Sequence, residues 1–200
     1  MPNQKISANL KSAIADELNK DRFDVTENGI IFPTLSVGIE GTYFTRVNGG
    51  EWDVQKNLIT KEGLIDVLNT YFVQNHPKKA GFYLALFSGN TAPASNWTAA
   101  NFTAVANEIV SQTEGYTAAT RPQFNPLPAT DNTYVDNMTA ATSVTIATSS
   151  QLNVTGIALL SNSQRGGTTG VLVSATKWPT VRTLQNDDVL DMGYRFALTV

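Results

Sequence analysis

The residue types that most often carry catalysis are scarce in this chain. Its 200 residues include one histidine, His76, and no cysteine. A Ser-His-Asp or Cys-His arrangement needs an imidazole beside the nucleophile, and structural zinc sites are built from several Cys or His ligands. His76 precedes Pro77 in a breaker sequence, where a solvated linker residue is the favoured interpretation. We therefore predict no catalytic residue, no resident metal and no cofactor.

Two short motifs suggest ion binding. Asp187, Asp188 and Asp191 cluster beside a turn, and carboxylate oxygens suit calcium, but their spacing does not match an EF-hand loop. A solvated turn is the better interpretation. Residues 165–170 read Arg-Gly-Gly-Thr-Thr-Gly, which invites comparison with a phosphate-binding loop. That motif lacks the P-loop lysine and precedes a strand rather than a helix, so a flexible hairpin loop is favoured.

Aromatic side chains could instead carry a binding function. Tryptophan and tyrosine rings stack on sugars and also anchor protein interfaces. Trp97, Tyr116 and Arg165 are therefore candidates for an exposed glycan site, and Trp52 is a candidate contact to a partner protein. A place in the hydrophobic core is the competing interpretation for each isolated tryptophan.

Charge and hydropathy exclude several classes of partner. The net charge of -3 shows no basic excess that would favour nucleic acid. No run approaches the roughly 20 apolar residues that a membrane helix needs. Residues 1–6 lack the apolar segment of a signal peptide, so we expect a chain that is made in the cytoplasm and is not exported by a cleaved signal.

A shift in composition predicts two regions. Residues 1–79 hold most of the charged residues, and the sequence His-Pro-Lys-Lys at 76–79 marks the predicted boundary. The first region, 1–79, is predicted to be α+β, with a helix at 7–19, a hairpin at 42–54 around Asn-Gly-Gly, and a helix at 61–72.

The two predicted helices differ in their apolar faces. The stripe on helix 7–19 is narrow and is a candidate contact surface, although packing within its own domain explains it equally well. Helix 61–72, capped by Thr60, has a wider apolar face and is expected to be well buried. The stripe of the first helix comprises Ile6, Leu10, Ile14 and Leu18.

The second region, 80–200, is predicted to be nearly all β. Apolar runs at 154–161 and 171–175 flank a polar loop with three glycines, which indicates a hairpin of two central strands. About eight short strands at regular spacing indicate an antiparallel β-sandwich, jelly-roll-like or immunoglobulin-like. The expected fold class is mainly β, with a smaller N-terminal α+β region.

Several motifs between residues 56 and 200 resemble those of small structural proteins of tailed bacteriophages. The opening Asn-Leu-Ile-Thr-Lys-Glu-Gly-Leu at 57–64 resembles the "N-L-x-T-x-E-G-L" opening of these proteins. Similar segments follow it along the chain, at 83–90, 97–102, 114, 121–122, 156–161, 166–170 and 188–190. Residues 1–55 carry no such resemblance.

The resemblance implies a capsid decoration, or cement, protein located on the exterior of the virion. Its partners would be the major capsid protein and further copies of itself, with a homotrimer favoured over a dimer. The family motif carries no catalytic residue. In this interpretation the stripe of helix 7–19 and Trp52 would contact the capsid or another subunit.

Two alternatives stay open. One is a tail or head-fibre module that binds host-surface carbohydrate at Trp97, Tyr116 and Arg165. The other is an enzyme such as a glycosidase, which is disfavoured because activated groups are scarce.

Overall fold

The structure is a computed structural model that describes residues 23–25, 31–33 and 38–199. The chain forms two compact units, one of Met1–Gly38 with Val200 and one of Ile39–Thr199. In the first unit, β1 (Phe23–Val25) pairs antiparallel with β2 (Ile31–Pro33). The helix predicted at 7–19 lies outside the described residues.

The second unit alternates short and long strands with two helices. The bounds of its elements are β3 (Gly38–Val47), β4 (Asp53–Lys56), β5 (Leu58–Ile59), α1 (Lys61–Phe72), β6 (Phe82–Phe87), α2 (Ala99–Ala106), β7 (Gly115–Tyr116), β8 (Gln123–Phe124), β9 (Tyr134–Asp136), a 3-10 helix (Met138–Ala140), β10 (Thr142–Ala147), β11 (Leu152–Leu160), β12 (Leu172–Leu184) and β13 (Val189–Thr199).

These strands form two antiparallel sheets, so the prediction of a mainly β protein is confirmed. The first sheet has the order β4-β3-β13-β10-β7, and β9 also pairs with β13. The second has the order β5-β12-β11-β6-β8. Both predicted hairpins are present. The turn between β3 and β4 places Asn48 and Gly49 at positive φ, and β11 pairs with β12 in the centre of the second sheet.

Side chains from both sheets share one hydrophobic core. Alternation along β13 turns Leu190, Met192 and Tyr194 inward, and alternation along β6 does the same for Leu84 and Leu86. A hydrogen bond also joins the two sheets. The buried Ser174 hydroxyl of β12 lies 2.8 Å from the Tyr43 hydroxyl of β3. The topological type, jelly-roll-like or immunoglobulin-like, stays a prediction.

The outer face of the second sheet is covered by α2, an element that the sequence patterns did not reveal. Phe102 of α2 packs edge-on against Phe87 of β6 and against Trp97. A capping box starts the helix: the Thr98 hydroxyl accepts from the Asn101 amide, and the Asn101 side chain accepts from the Thr98 amide. With asparagine in place of the usual glutamate or glutamine, this box is easily overlooked in a Thr/Ala/Asn-rich stretch.

Helix α1 has the predicted bounds and the predicted cap, but its orientation differs from the expectation. The Thr60 hydroxyl accepts from the Gly63 amide and donates to the Leu172 carbonyl. The buried residues of α1 are Gly63 and Asp66, whereas much of its apolar face is exposed. The expectation of a well-buried apolar face is therefore corrected.

The predicted regions and the observed units have different boundaries. The hairpin at 42–54 and the helix at 61–72 were assigned to an N-terminal region ending at residue 79. Both belong to the unit Ile39–Thr199, where β3 pairs within the first sheet and β5 pairs with β12. A shift in composition does not mark a structural boundary here, because strands from the charged segment pair with strands from the later, less charged segment.

Candidate functional site

The outer face of the first sheet carries half-exposed arginine and aromatic side chains at neighbouring positions. On β13, residues that alternate with the inward-facing ones point to this side. Two of them, Asp191 and Arg195, pair with side chains from adjacent strands. We call this surface the open face, and its residues are Phe44, Arg46, Trp52, Tyr134, Asp136, Ser143, Asp191 and Arg195.

One half of the open face is organised by Arg46. Its guanidinium carbon lies 4.4 Å from the centre of the Trp52 ring, and its Nε donates to Asp191 Oδ2 at 2.7 Å. The other Asp191 oxygen accepts from the Ser143 hydroxyl at 2.5 Å. The predicted contact residue Trp52 thus lies at the surface, half-buried beneath a cation that fixes its ring.

Arg195 organises the other half in the same way. It donates to Asp136 Oδ2 from Nη2 at 2.7 Å and from Nε at 2.9 Å. Its guanidinium carbon lies 4.0 Å from the Tyr134 ring centre and 5.6 Å from that of Phe44. Arginine, tryptophan and tyrosine dominate binding energy at protein interfaces, so the open face has the composition of an interaction surface.

The residues of the predicted glycan site are not arranged as an exposed platform. Trp97 is buried in the cluster beneath α2, and Tyr116 is fully buried in the core between the sheets. Neither ring offers a face on which a sugar could stack. The expectation that they line an exposed site is corrected, because each ring fills a gap in a different layer of the fold.

Arg165 has a structural role that could not be predicted from the glycine-rich motif in which it lies. Its guanidinium stacks 3.6 Å from the centre of the Tyr116 ring and donates to the carbonyl oxygens of Ala118 at 2.6 Å and Ser111 at 2.5 Å. Burial raises the pKa of the Tyr116 hydroxyl to about 12, although the nearby arginine acts in the opposite direction. Burial also lowers the pKa of Arg165.

A buried ion pair holds the same loop from the other side. Arg121 donates from Nε to Glu108 Oε1 and from Nη2 to Oε2, each at 2.7 Å, and both side chains are fully buried. Glu108 also accepts from the Gly166 amide, and Arg121 donates to the Asn162 carbonyl. Residues 162–170 are therefore an anchored loop and not the flexible one expected.

The acidic residues near the turn at 186–188 serve different partners. Asp188 accepts from the Gln185 amide and from the Asn48 side chain, and these two hydrogen bonds lower its pKa, the backbone bond more strongly. Asp191 binds Arg46 on the open face. Within the part of the chain that the structure describes, no group of three or more potential metal ligands converges.

His76 lies in the segment that joins α1 to β6. Its Nε2 is 3.4 Å from Asp66 Oδ1, and the ammonium of Lys79 is 2.9 Å from the same oxygen. Asp66 also lines an apolar cavity of about 200 Å³ together with residues such as Val67 and Phe124. This cluster ties the segment after the helix back to α1, and it contains no nucleophile.

Hydroxyl groups with strongly shifted pKa values lie inside the core. Tyr43, Ser174 and Tyr194 form a buried network in which Ser174 Oγ donates to the Tyr194 hydroxyl at 3.0 Å. Burial, and to a lesser extent the neighbouring Tyr194, raises the pKa of Tyr43 well above its usual value. The network joins the two sheets, and all three of its residues are fully buried.

No family model matches the sequence, and no curated protein matches it. Among the described residues, neither the length nor the hydropathy of any helix reaches what a membrane-spanning helix requires.

Proposed function

We propose that this chain is a structural virion protein of a tailed phage that decorates the outer surface of the capsid and clamps neighbouring capsomers. The partners would be the major capsid protein and further copies of the chain, with a homotrimer favoured. In this proposal the two sheets form a jelly-roll-like or immunoglobulin-like sandwich that acts as a rigid body, and the protein does not carry out catalysis.

The open face is the observation that carries the proposal. Its arginine and aromatic side chains are held by ion pairs, so little side-chain entropy would be lost when a partner covers them. Trp52 is half-buried and retains a surface for contact. Modest affinity at each subunit becomes tight attachment when an oligomer engages several lattice sites at once. The sequence resemblance over residues 56–200 supports the same role.

The carbohydrate-binding alternative has weaker support. It required Trp97 and Tyr116 to present exposed rings near Arg165, and those rings are buried in separate clusters. No other observation favours a glycan ligand, so we do not propose this function.

Co-sedimentation with capsids of the encoding phage, prepared without this protein, tests the proposal. We expect the purified chain to bind and Trp52→Ala to weaken binding by about thirtyfold per subunit, because an interface tryptophan contributes about 2 kcal/mol. Val110→Ala, at an exposed apolar residue outside the open face, is the control and should bind normally. Failure of the unaltered chain to appear at lattice positions in electron cryomicroscopy of intact particles would refute the proposal.

A further inference from the structure

Helix α1 turns its apolar side away from the unit to which it belongs. At 100° per residue, Ile65, Leu68 and Phe72 lie on one side of the helix, opposite the buried Gly63 and Asp66. We call this exposed side, together with the C-cap residue Val73 that follows it, the α1 patch. Its residues and their exposed fractions are Ile65 at 47%, Leu68 at 56%, Tyr71 at 82%, Phe72 at 75% and Val73 at 52%.

Specific polar contacts fix this orientation. The Glu62 carboxylate accepts from the backbone amides of Ala99 at 2.8 Å and Leu172 at 2.7 Å, so it joins α1 to the start of α2 and to β12. A Cβ at Gly63 would lie 2.5 Å from the Val173 carbonyl oxygen, which shows how closely the helix backbone approaches β12. Rolling the helix to bury Leu68 would break these contacts, so the exposure of the patch is built into the fold.

The area of the patch fits the centre of a protein interface. At 150–250 Å² for a whole aromatic side chain, Tyr71 and Phe72 together expose on the order of 300 Å². The three aliphatic residues bring the total to roughly 450 Å², the size of the largest apolar patch on a typical monomer (about 300–600 Å²), and such a patch is often functional. Two such patches in contact would bury about 900 Å², which is the apolar share of a standard interface of about 1,600 Å².

The lack of charge at the centre of the α1 patch indicates what kind of surface would cover it. Lys61 lies at the first position of the helix, and Glu62 and Asp66 are engaged within the unit, so the centre of the patch offers no charge to a charged partner. It needs an equally apolar surface of matching shape. Residues spaced three and four apart form ridges that pack into the grooves of a second helix, and a symmetric contact uses the same patch twice.

We propose that the α1 patch is the contact between copies of this chain. A symmetric contact of this kind makes a dimer and not the homotrimer that the proposed function favours, so the inference rests on the patch alone. It can therefore be tested with the purified full-length chain in the absence of capsids.

Sedimentation velocity over a wide concentration range provides the first test. We expect the unaltered chain to self-associate, and each of Leu68→Glu and Phe72→Glu to weaken association by about thirtyfold or more because a charge would be buried at the interface. Val110→Glu is the matched control, since Val110 is 47% exposed, as is Ile65, and lies outside the patch. A chain that stays monomeric at every concentration overturns the proposal, as does association that survives both patch variants.

Covalent trapping distinguishes a second copy from any other occupant. Because the chain has no cysteine, Leu68→Cys introduces a single thiol, and a disulfide can then form only between two copies. We expect this variant to give a covalent dimer under mild oxidation, whereas Val110→Cys should not. An oligomer that is not trapped at position 65, 68 or 72 overturns the proposal, because its contact lies elsewhere. If the purified chain is monomeric and Leu68→Glu abolishes only capsid binding, the patch binds the capsid; this inference then fails and the proposed function survives.

Discussion

Replacing Arg121 with methionine would remove two charge-assisted hydrogen bonds from a carboxylate that water does not reach. Glu108 accepts from Arg121 Nε and Nη2, from the Thr103 hydroxyl at 2.9 Å and from the Gly166 amide at 3.0 Å. In Arg121→Met the Thr103 hydroxyl and the Gly166 amide would still donate to Glu108, but these two neutral donors do not compensate for the buried negative charge. Breaking a buried ion pair by removing one partner typically costs 3–5 kcal/mol.

Urea unfolding followed by circular dichroism measures this loss. With a slope of about 2 kcal/mol per molar urea, a loss of about 4 kcal/mol lowers the midpoint by about 2 M. Adding Glu108→Gln to Arg121→Met removes the unpaired charge while keeping an acceptor for the Gly166 amide. We therefore expect the double variant to regain about 2 kcal/mol.

An exposed ion pair provides the control. Lys56 and Glu40 are 81% and 50% exposed and 3.7 Å apart, so Lys56→Met should change stability by less than about 1 kcal/mol. If Arg121→Met were as mild as Lys56→Met, the Glu108 carboxylate would have to be reached by water or neutralised without strain. The account of residues 162–170 as a loop anchored by a buried charge pair would then be wrong.

Two further predictions concern packing and pH. Gly63→Ala places a methyl group 2.5 Å from the Val173 carbonyl, so we expect a loss of about 1–3 kcal/mol in urea unfolding, whereas Val110→Ala should stay within about 0.5 kcal/mol. Burial raises the pKa values of Tyr116 and Tyr194 to about 12 from an ordinary value near 10. Their contribution to stability is fully present below pH 10 and is lost as pH rises toward 12, because the unfolded state releases these protons first. Absorbance at 295 nm should show both tyrosines ionising late or together with unfolding; ionisation of all tyrosines near pH 10 in the folded chain would contradict their burial.

Local patterns predicted the secondary structure where one short-range signal dominates. The Asn48-Gly49 pair marked the hairpin between β3 and β4, because both positions need positive φ. Thr60 marked the start of α1, because its hydroxyl satisfies a free amide of the first turn. By contrast, α2 was missed, since its eight residues are short and lack a strong apolar period.

Residues that depend on distant partners could not be assigned in the same way. Glu108 and Arg121 were not predicted to form an ion pair. The one available signal was that each is a charged residue in a strand-rich segment with few charges, where a buried charge needs a partner. Arg165 was assigned to a flexible loop, but carbonyl groups from residues 109–118 surround its guanidinium. These contacts form between segments that are far apart in sequence, so no local spacing encodes them.

The amino-acid sequence by itself determined that the chain is mainly β, where its principal hairpins turn and where α1 begins, because those features follow from backbone preferences and the alternation of apolar residues over a few positions. The tertiary structure alone decided which faces meet. Helix α1 is amphipathic, yet the Glu62 carboxylate accepts from the Leu172 amide of β12 and the Thr60 hydroxyl donates to the Leu172 carbonyl. These bonds hold the polar side of α1 inward and leave Leu68 and Phe72 outside. Close packing of α2 on the second sheet likewise buried Trp97. The neighbouring residues in sequence are mostly Thr, Ala and Asn, and they gave no sign of this burial. The direction in which a side chain points is set by contacts made only after distant segments come together.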